Sequence, residues 1–295
     1  MENLKIGMIG LDSSHCIEFT KLLNDTHHPF HVNGGVIHAV YPFFSENLPI
    51  SKNRVQQFKE TLELNFDLHM AHSIQELAQS CDAILITAVD GDKHLALFKE
   101  LLPYKIPVFI DKPLTLSLEE AEEIFSLSQK YQIPVMSCSS LRFAESFYKH
   151  LVQLQEEVKS LYVHGPLPMQ ENIPGYFWYG IHVVEMVIAA MGTKVKNINV
   201  FKNSQYETIV FEWNDGRHAV IHGEYEWHPR FGVTLHTDQC FYNADIEKDV
   251  KPFYASLLEE IVCFFKTRNS PVPAEETLEI ISLCSQINKI RNELL

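Results

Sequence analysis

The sequence predicts an α/β fold: a mostly parallel sheet covered by helices, followed by an α+β unit on a largely antiparallel open sheet. Over the first half, short apolar runs alternate with helix-period segments, as in successive βαβ units. Near residue 157 this rhythm changes, and strand-like runs follow one another across turn signals such as Asn214-Asp215-Gly216. At 295 residues the chain is long enough for two cores, which we place at 1–145 and 146–295.

Element by element, Lys5 to Leu11 reads as a buried strand and Cys16 to Asn24 as a helix. "GGVIHAVYPF" is a second strand, and Ser51 to Leu62 a helix leading to "LNFDLHMA". Then come a short helix at Ser73 to Gln79, the strand "CDAILITAV", the helix "GDKHLALFKELLPY" and the strand "IPVFID". Ser117 with Glu120 three residues on makes a capping box for a helix over Leu118 to Tyr131, and "IPVMSCSS" is the next strand. In the second half "VKSLYVHG", "VKNINVFKN", "YETIVFEW", "HAVIHGEYEW" and "FGVTLHT" are the strands. Ile181 to Met191, Val250 to Lys266 and Glu275 to Arg291 are its helices.

Composition narrows the function classes. With 38 acidic against 24 basic residues, the net charge of −14 disfavours nucleic acid and anionic membrane, both of which need a basic footprint. The most apolar stretch, "IHVVEMVIAAMG", is too short and too polar to span a bilayer. The opening "MENLKIGMIG" lacks the regions of a secretory signal, and the six cysteines are scattered without metal-like spacing. We expect a cytoplasmic protein with reduced thiols.

The first strand runs into "GMIGLDSSH", Gly7 to His15. A dinucleotide loop reads G-x-G-x-x-G, with glycines for the tight turn, for backbone approach to pyrophosphate and for helix packing. Aligned from Gly10, the second and third glycine positions hold Asp12 and His15. A carboxylate beside a pyrophosphate repels it, whereas Ser13, Ser14 and the helix start attract one. Cofactor binding and a merely tight structural turn both fit. After the second strand no acidic residue awaits a ribose 2′-OH. That absence suits either a phosphorylated ribose, met by Ser45, Lys52 or Arg54, or no dinucleotide at all.

"VFIDKPLTLSLEEA" puts Asp111-Lys112-Pro113 where a parallel strand ends, at the sheet edge where ligands bind in such folds. Pro113 restricts the residue before it and so aims the lysine. An ammonium there serves a substrate oxygen, or is an ordinary charged turn. Downstream lie Arg142-Phe143 in "SSLRFAESF" and, upstream, Ala88, Val89 and His94 in "AVDGDKH".

Together these ordered features resemble the Gfo/Idh/MocA family of NAD(P)-dependent oxidoreductases, named for glucose-fructose oxidoreductase and inositol dehydrogenase. In that family the strand end usually reads Glu-Lys-Pro, an Arg-Phe segment follows the next strand, and an Ala-Thr-Pro-Asn-x-x-His loop precedes both. Here Asp111 replaces Glu, His94 is kept, and the Thr-Pro-Asn portion is not. The resemblance implies an N-terminal Rossmann domain and a C-terminal domain whose open sheet supports homo-oligomers. It implies that NAD or NADP is held by Gly7, Gly10, Asp12, Ser13, Ser14, His15, Ala88, Val89, His94, Asp111, Lys112, Pro113 and Arg142. The family's second signature is an Asp four residues before a His. "FWYGIHVVEM" offers His182 with Gly180 and Glu185 in place, but Trp178 stands where the Asp belongs. The expected chemistry is that His182 takes a hydroxyl proton while Lys112 binds the same oxygen, with Tyr176, Trp178 and Tyr179 walling the substrate pocket or simply packing.

No metal centre is expected. His218 and His222 share one face of a strand but are spaced too widely along it for joint ligation, and His228, His236, His27, His28 and His31 add no ligand spacing. The reading is therefore an NAD(P)-dependent oxidoreductase acting on a hydroxyl or keto group of a small polyol, cyclitol or sugar-derived substrate. Two alternatives stay open: a non-catalytic Rossmann-like ligand-binding or regulatory protein, and a lyase or epimerase that recycles its NAD internally.

Overall fold

A computed structural model describes residues 3–154 and 156–294. The chain divides into two compact units, the first running to Cys138 and including Tyr254–Ala274, the second comprising Ser139–Phe253 and the residues from Glu275 on. Among the described residues no helix is long and apolar enough to cross a membrane.

The first unit is a six-stranded parallel sheet of β1 (Leu4–Ile9), β2 (Gly35–Tyr41), β3 (His69–Met70), β4 (Ala83–Ile86), β5 (Val108–Ile110) and β6 (Val135–Met136), in the order β3-β2-β1-β4-β5-β6. This is the Rossmann order, with its crossover next to β1. Strands β4 and β5 are buried at every position, which is why "AILI" and "VFI" carry no alternation. The helices between them are α1 (His15–Asn24), α2 (Pro49–Asn65), α3 (Ile74–Ser80), α4 (Gly91–Leu101) and α5 (Leu118–Tyr131). Their starts are written in side chains: the hydroxyls of Ser73 and Ser117 accept from the N–H of Glu76 and Glu120, and the Asp90 carboxylate from that of Asp92.

The second unit opens with α6 (Glu145–Gln153) and builds a six-stranded sheet from β7 (Ser160–Pro166), β8 (Val195–Lys202), β9 (Tyr206–Trp213), β10 (His218–Glu224), β11 (Gly232–His236) and β12 (Phe241–Asp245). The order is β12-β11-β7-β10-β9-β8; β7 and β10 pair in parallel and all other pairs are antiparallel. Strands β9 and β10 alternate buried and less buried positions, so one face is covered and the other open. Helix α7 (Gly180–Met191), apolar nearly all round and almost wholly buried, packs on β7 and β10. The open face carries exposed Tyr162, Phe201, Tyr206 and Phe241.

Two helices close the chain, α8 (Phe253–Thr267) and α9 (Ala274–Glu293). A boundary at 145/146 assigns α8 to the second domain, whereas in the structure it packs with the first. Its Val262 lies where a side chain at Gly34 or Gly35 would point, and Arg268 just beyond it donates to the carbonyl of Lys105 at 3.2 Å. Helix α9 stitches the second unit: Glu279 accepts from the Val195 N–H at 3.1 Å, Asn288 from that of Tyr176 at 2.9 Å, and Arg291 grips fully buried Glu207 at 2.6 and 2.8 Å. Helix α6 and strand β12 were not anticipated from the sequence. Helix α6 is short and buries a single side chain, Phe147.

Candidate functional site

In the first unit the turn after β1 comes so close to the end of β4 that only glycine fits. Gly10 has φ +100°, and a Cβ there would fall 2.4 Å from the Ala88 nitrogen. Asp12 does not face outward from this turn. It is fully buried; one carboxylate oxygen accepts from the Ser51 hydroxyl at 2.6 Å and the other from the Val89 N–H at 3.1 Å. Ser51 in turn accepts from the Ser45 N–H at 2.7 Å, and the Ser45 hydroxyl donates to Asp90 at 2.5 Å. The turns after β1, β2 and β4 are thereby closed into one polar ring. Burial pushes the Asp12 carboxyl up to about 6, against the pull of its hydrogen bonds. Ser45, considered for a ribose phosphate, is part of this ring, and Lys52 pairs with Glu46 at 2.8 Å.

His15 is the first residue of α1 and is buried. Its Nδ1 meets the Asp111 carboxylate and its Nε2 the Tyr254 hydroxyl at 3.1 Å, while its ring stacks on Phe19 with centroids 5.2 Å apart. The third glycine position of the dinucleotide pattern thus holds an imidazole that ties α1 to the end of β5 and to α8. Burial raises Asp111, but His15 and the neighbouring Lys112 outweigh it and hold the carboxyl below its ordinary range. The other Asp111 oxygen accepts from the Lys112 N–H at 2.8 Å. The Lys112 amine is pulled down by burial, with Asp111 opposing. The Lys112–Pro113 peptide is cis, and fully buried His94 braces the loop: its Nδ1 meets the carbonyls of Pro113 and Leu114 at 3.0 and 3.1 Å, its Nε2 that of Ala88 at 2.8 Å.

The second unit holds the other candidates. His182, in the first turn of α7, has its Nδ1 2.6 Å from the hydroxyl of fully buried Ser139. Three residues on, buried Glu185 receives the Arg142 guanidinium at 3.2 Å, and the same guanidinium meets Glu276 of α9. Burial pushes the Glu185 carboxyl up to about 7, although Arg142 and the Ser139 N–H work to lower it. Arg142, expected at a dinucleotide, therefore has its charge met by two carboxylates inside this unit. Tyr179 stands edge-on to His182 with centroids 5.6 Å apart and accepts from the indole N–H of exposed Trp227 at 3.0 Å. Trp178 is half-buried, edge-on to Tyr179 at 5.8 Å, and Phe231 flanks His182 at 6.2 Å. Tyr176, by contrast, is in the interior, its ring 5.6 Å from the Arg291 guanidinium carbon. Of the two roles open to it, packing is where the structure puts it. Among the described residues no group of three or more His, Cys, Asp or Glu is placed to hold a metal ion.

Ser139, Ser51, Asp90 and Tyr254 were not singled out in the sequence. Ser139 carried a usable signal, a small polar residue just past a parallel strand, in "MSCSS". Tyr254 carried none, because its partner is 239 residues away.

Residues 4–138 match the model of the family described as oxidoreductase family, NAD-binding Rossmann fold, of Gfo/Idh/MocA type. A Salmonella typhimurium protein described as "Putative oxidoreductase YceM" is 35% identical over 72 residues, a stretch that spans 24% of this chain and 23% of that one. Among solved structures, UDP-N-acetylglucosamine 3-dehydrogenase GnnA from Acidithiobacillus ferrooxidans superposes with a TM-score of 0.77 at 13% identity, covering 98% of both chains. GenD2 from gentamicin A biosynthesis, in complex with NAD, gives 0.72 at 11% identity over 97% of this chain and 93% of that one. The dehydrogenase MviM from Clostridium difficile gives 0.71 at 15% identity over 98% and 100%. At these identities the structures share a fold with this chain, and the Rossmann unit is Gfo/Idh/MocA-like.

Proposed function

We propose that this chain is an NAD(P)-dependent oxidoreductase that exchanges hydride with a hydroxyl or keto group of a small polyol, cyclitol or sugar-derived substrate. The observation that carries the reading is Lys112: it follows β5 at the carboxyl edge of a Rossmann sheet, beside Asp111, with its amine lowered by burial. The first turn fits a dinucleotide. The cradle at Gly10 is one that a Cβ would fill, and Asp12 spends its charge inward on Ser51 and Val89. Gly10, Ser13, Ser14 and the start of α1 are then the groups to hold the pyrophosphate. A bound nicotinamide supplies the hydride exchange. Lys112 exchanges the proton of the reacting oxygen, Asp111 keeps its amine from falling further, and His15 fixes Asp111. In the second unit His182 binds substrate, with Trp178 and Tyr179 offering ring faces to a sugar. GnnA, a UDP-N-acetylglucosamine 3-dehydrogenase of the same fold, supports that substrate class. The resemblance also supports self-association through the open, aromatic face of the second sheet.

Calorimetric titration with NAD(H) and NADP(H) is the test. Saturable binding is expected, with Lys112→Ala sparing affinity and abolishing turnover in a polyol and sugar screen. No binding up to about 1 mM nucleotide, the weak end of small-ligand affinity near −4 kcal/mol, would refute the reading. Turnover of substrate with no net change in reduced nicotinamide would instead identify an epimerase or lyase that recycles its cofactor.

A further inference from the structure

We propose that Ser139 holds His182 as a neutral imidazole with its hydrogen on Nε2, so that His182 meets a substrate as a hydrogen-bond donor and not as a base. The ligand's identity rests on the proposed function; the state of the ring does not.

Every hydrogen and acceptor around Ser139 has to be placed. The residue is fully buried, and its hydroxyl oxygen already accepts the Leu141 N–H at 3.2 Å. Its carbonyl accepts from the Arg142 N–H at 3.2 Å, and its own N–H goes to the Glu185 carboxylate. One hydrogen remains, that of the hydroxyl. Among the described residues the one group in reach to accept it is Nδ1 of His182, 2.6 Å away. A buried hydroxyl that fails to donate forfeits a full hydrogen bond without compensation from water. If Nδ1 carried the hydrogen, Ser139 would accept twice and its own hydrogen would have no acceptor. The hydroxyl therefore donates to Nδ1, and the ring hydrogen sits on Nε2.

The consequence inverts the role expected from the resemblance. A carboxylate is an acceptor only; placed beside Nδ1 it holds a hydrogen there and leaves Nε2 as a lone pair, ready to take a proton. Trp178, standing where that carboxylate was expected, offers only a donor N–H. Ser139 supplies the missing orientation with the opposite polarity. It is a positioning residue, itself pinned by buried Glu185 and Arg142, and it suits His182 to an oxygen lone pair such as the carbonyl of a keto sugar or keto cyclitol.

The test uses full-length protein labelled with 15N-histidine, long-range 1H–15N correlation at neutral pH, and assignment of His182 by its loss in His182→Gln. The Nε2–H form is expected, favoured at least about tenfold, the ratio set by one hydrogen bond. Ser139→Thr should keep that preference and Ser139→Ala should lose it. An Nδ1–H or doubly protonated ring in the wild type overturns the proposal, as does a Ser139→Ala spectrum unchanged at His182; the wild-type spectrum decides even if Ser139→Ala does not fold. An Nε2–H ring in a protein that binds no dinucleotide supports this assignment while refuting the oxidoreductase reading, so the two fail separately.

Discussion

Asp12→Asn tests whether the buried carboxylate is a brace held at an electrostatic cost. The side chain is fully buried and its carboxyl is raised from 3.8 to about 6. Between those values the folded chain binds a proton that the unfolded chain has released, so stability is greatest below the lower value and falls as pH rises through the upper one. At about 1.36 kcal/mol per pK unit, the two-unit difference is worth about 3 kcal/mol in all, of which about 1.4 kcal/mol falls between about pH 5 and pH 7.5. Asparagine keeps a carbonyl for the Val89 N–H and offers an amide N–H to the Ser51 oxygen, without a charge to bury. Urea unfolding of both proteins at the two pH values should show the variant gaining about 1.4 kcal/mol on the wild type from the lower pH to the higher. A difference that stays constant would refute the claim that burial raises the Asp12 carboxyl above its ordinary range. Asp12→Gly, which restores the dinucleotide pattern, should destabilise instead, because it strips the Ser51 hydroxyl and Val89 N–H of their acceptor at about 1–3 kcal/mol each.

Three further outcomes are expected. Gly10→Ala forces a methyl against the Ala88 backbone at a positive φ, and should lower unfolding stability by about 2–5 kcal/mol and abolish nucleotide binding in calorimetry. Arg142→Leu leaves Glu185 and Glu276 without their cation; thermal or urea denaturation should show a loss of about 3–5 kcal/mol at neutral pH, eased by lowering the pH as Glu185, raised to about 7, takes up a proton. Val220→Lys, on the open face of β10, should leave the melting temperature nearly unchanged and yield monomers in light scattering if that face is where copies associate.

Much of the fold was legible because it follows from local patterns. "AILI" and "VFI" are buried on both faces, and Ser117 with Glu120 marks the start of α5 to the residue. Lys112 was legible for a similar reason, as strand, charge and proline are contiguous. Asp12 was not, because its meaning depends on Ser51 and on a backbone N–H 77 residues away. Read along the chain it is a misplaced charge in a phosphate loop; in three dimensions it is the acceptor that joins three turns. The same holds for Arg142, whose partners lie on α7 and α9, and for α8, whose apolar face says that it packs but not against which sheet.

The return of α8 bears on how the protein is made. The first unit's sheet is complete by Met136, yet the helix that lies over the start of β2 and carries Tyr254 to His15 is encoded beyond the whole of the second sheet. A ribosome must therefore deliver the chain through Ala274 before that unit can close, and the second unit waits longer still for α9. A gene fragment cut at the end of β6 should yield a complete Rossmann sheet that lacks its closing helix and exposes an apolar seam, whereas joining residues 254–274 to it by a short linker should restore a soluble, separately folding module.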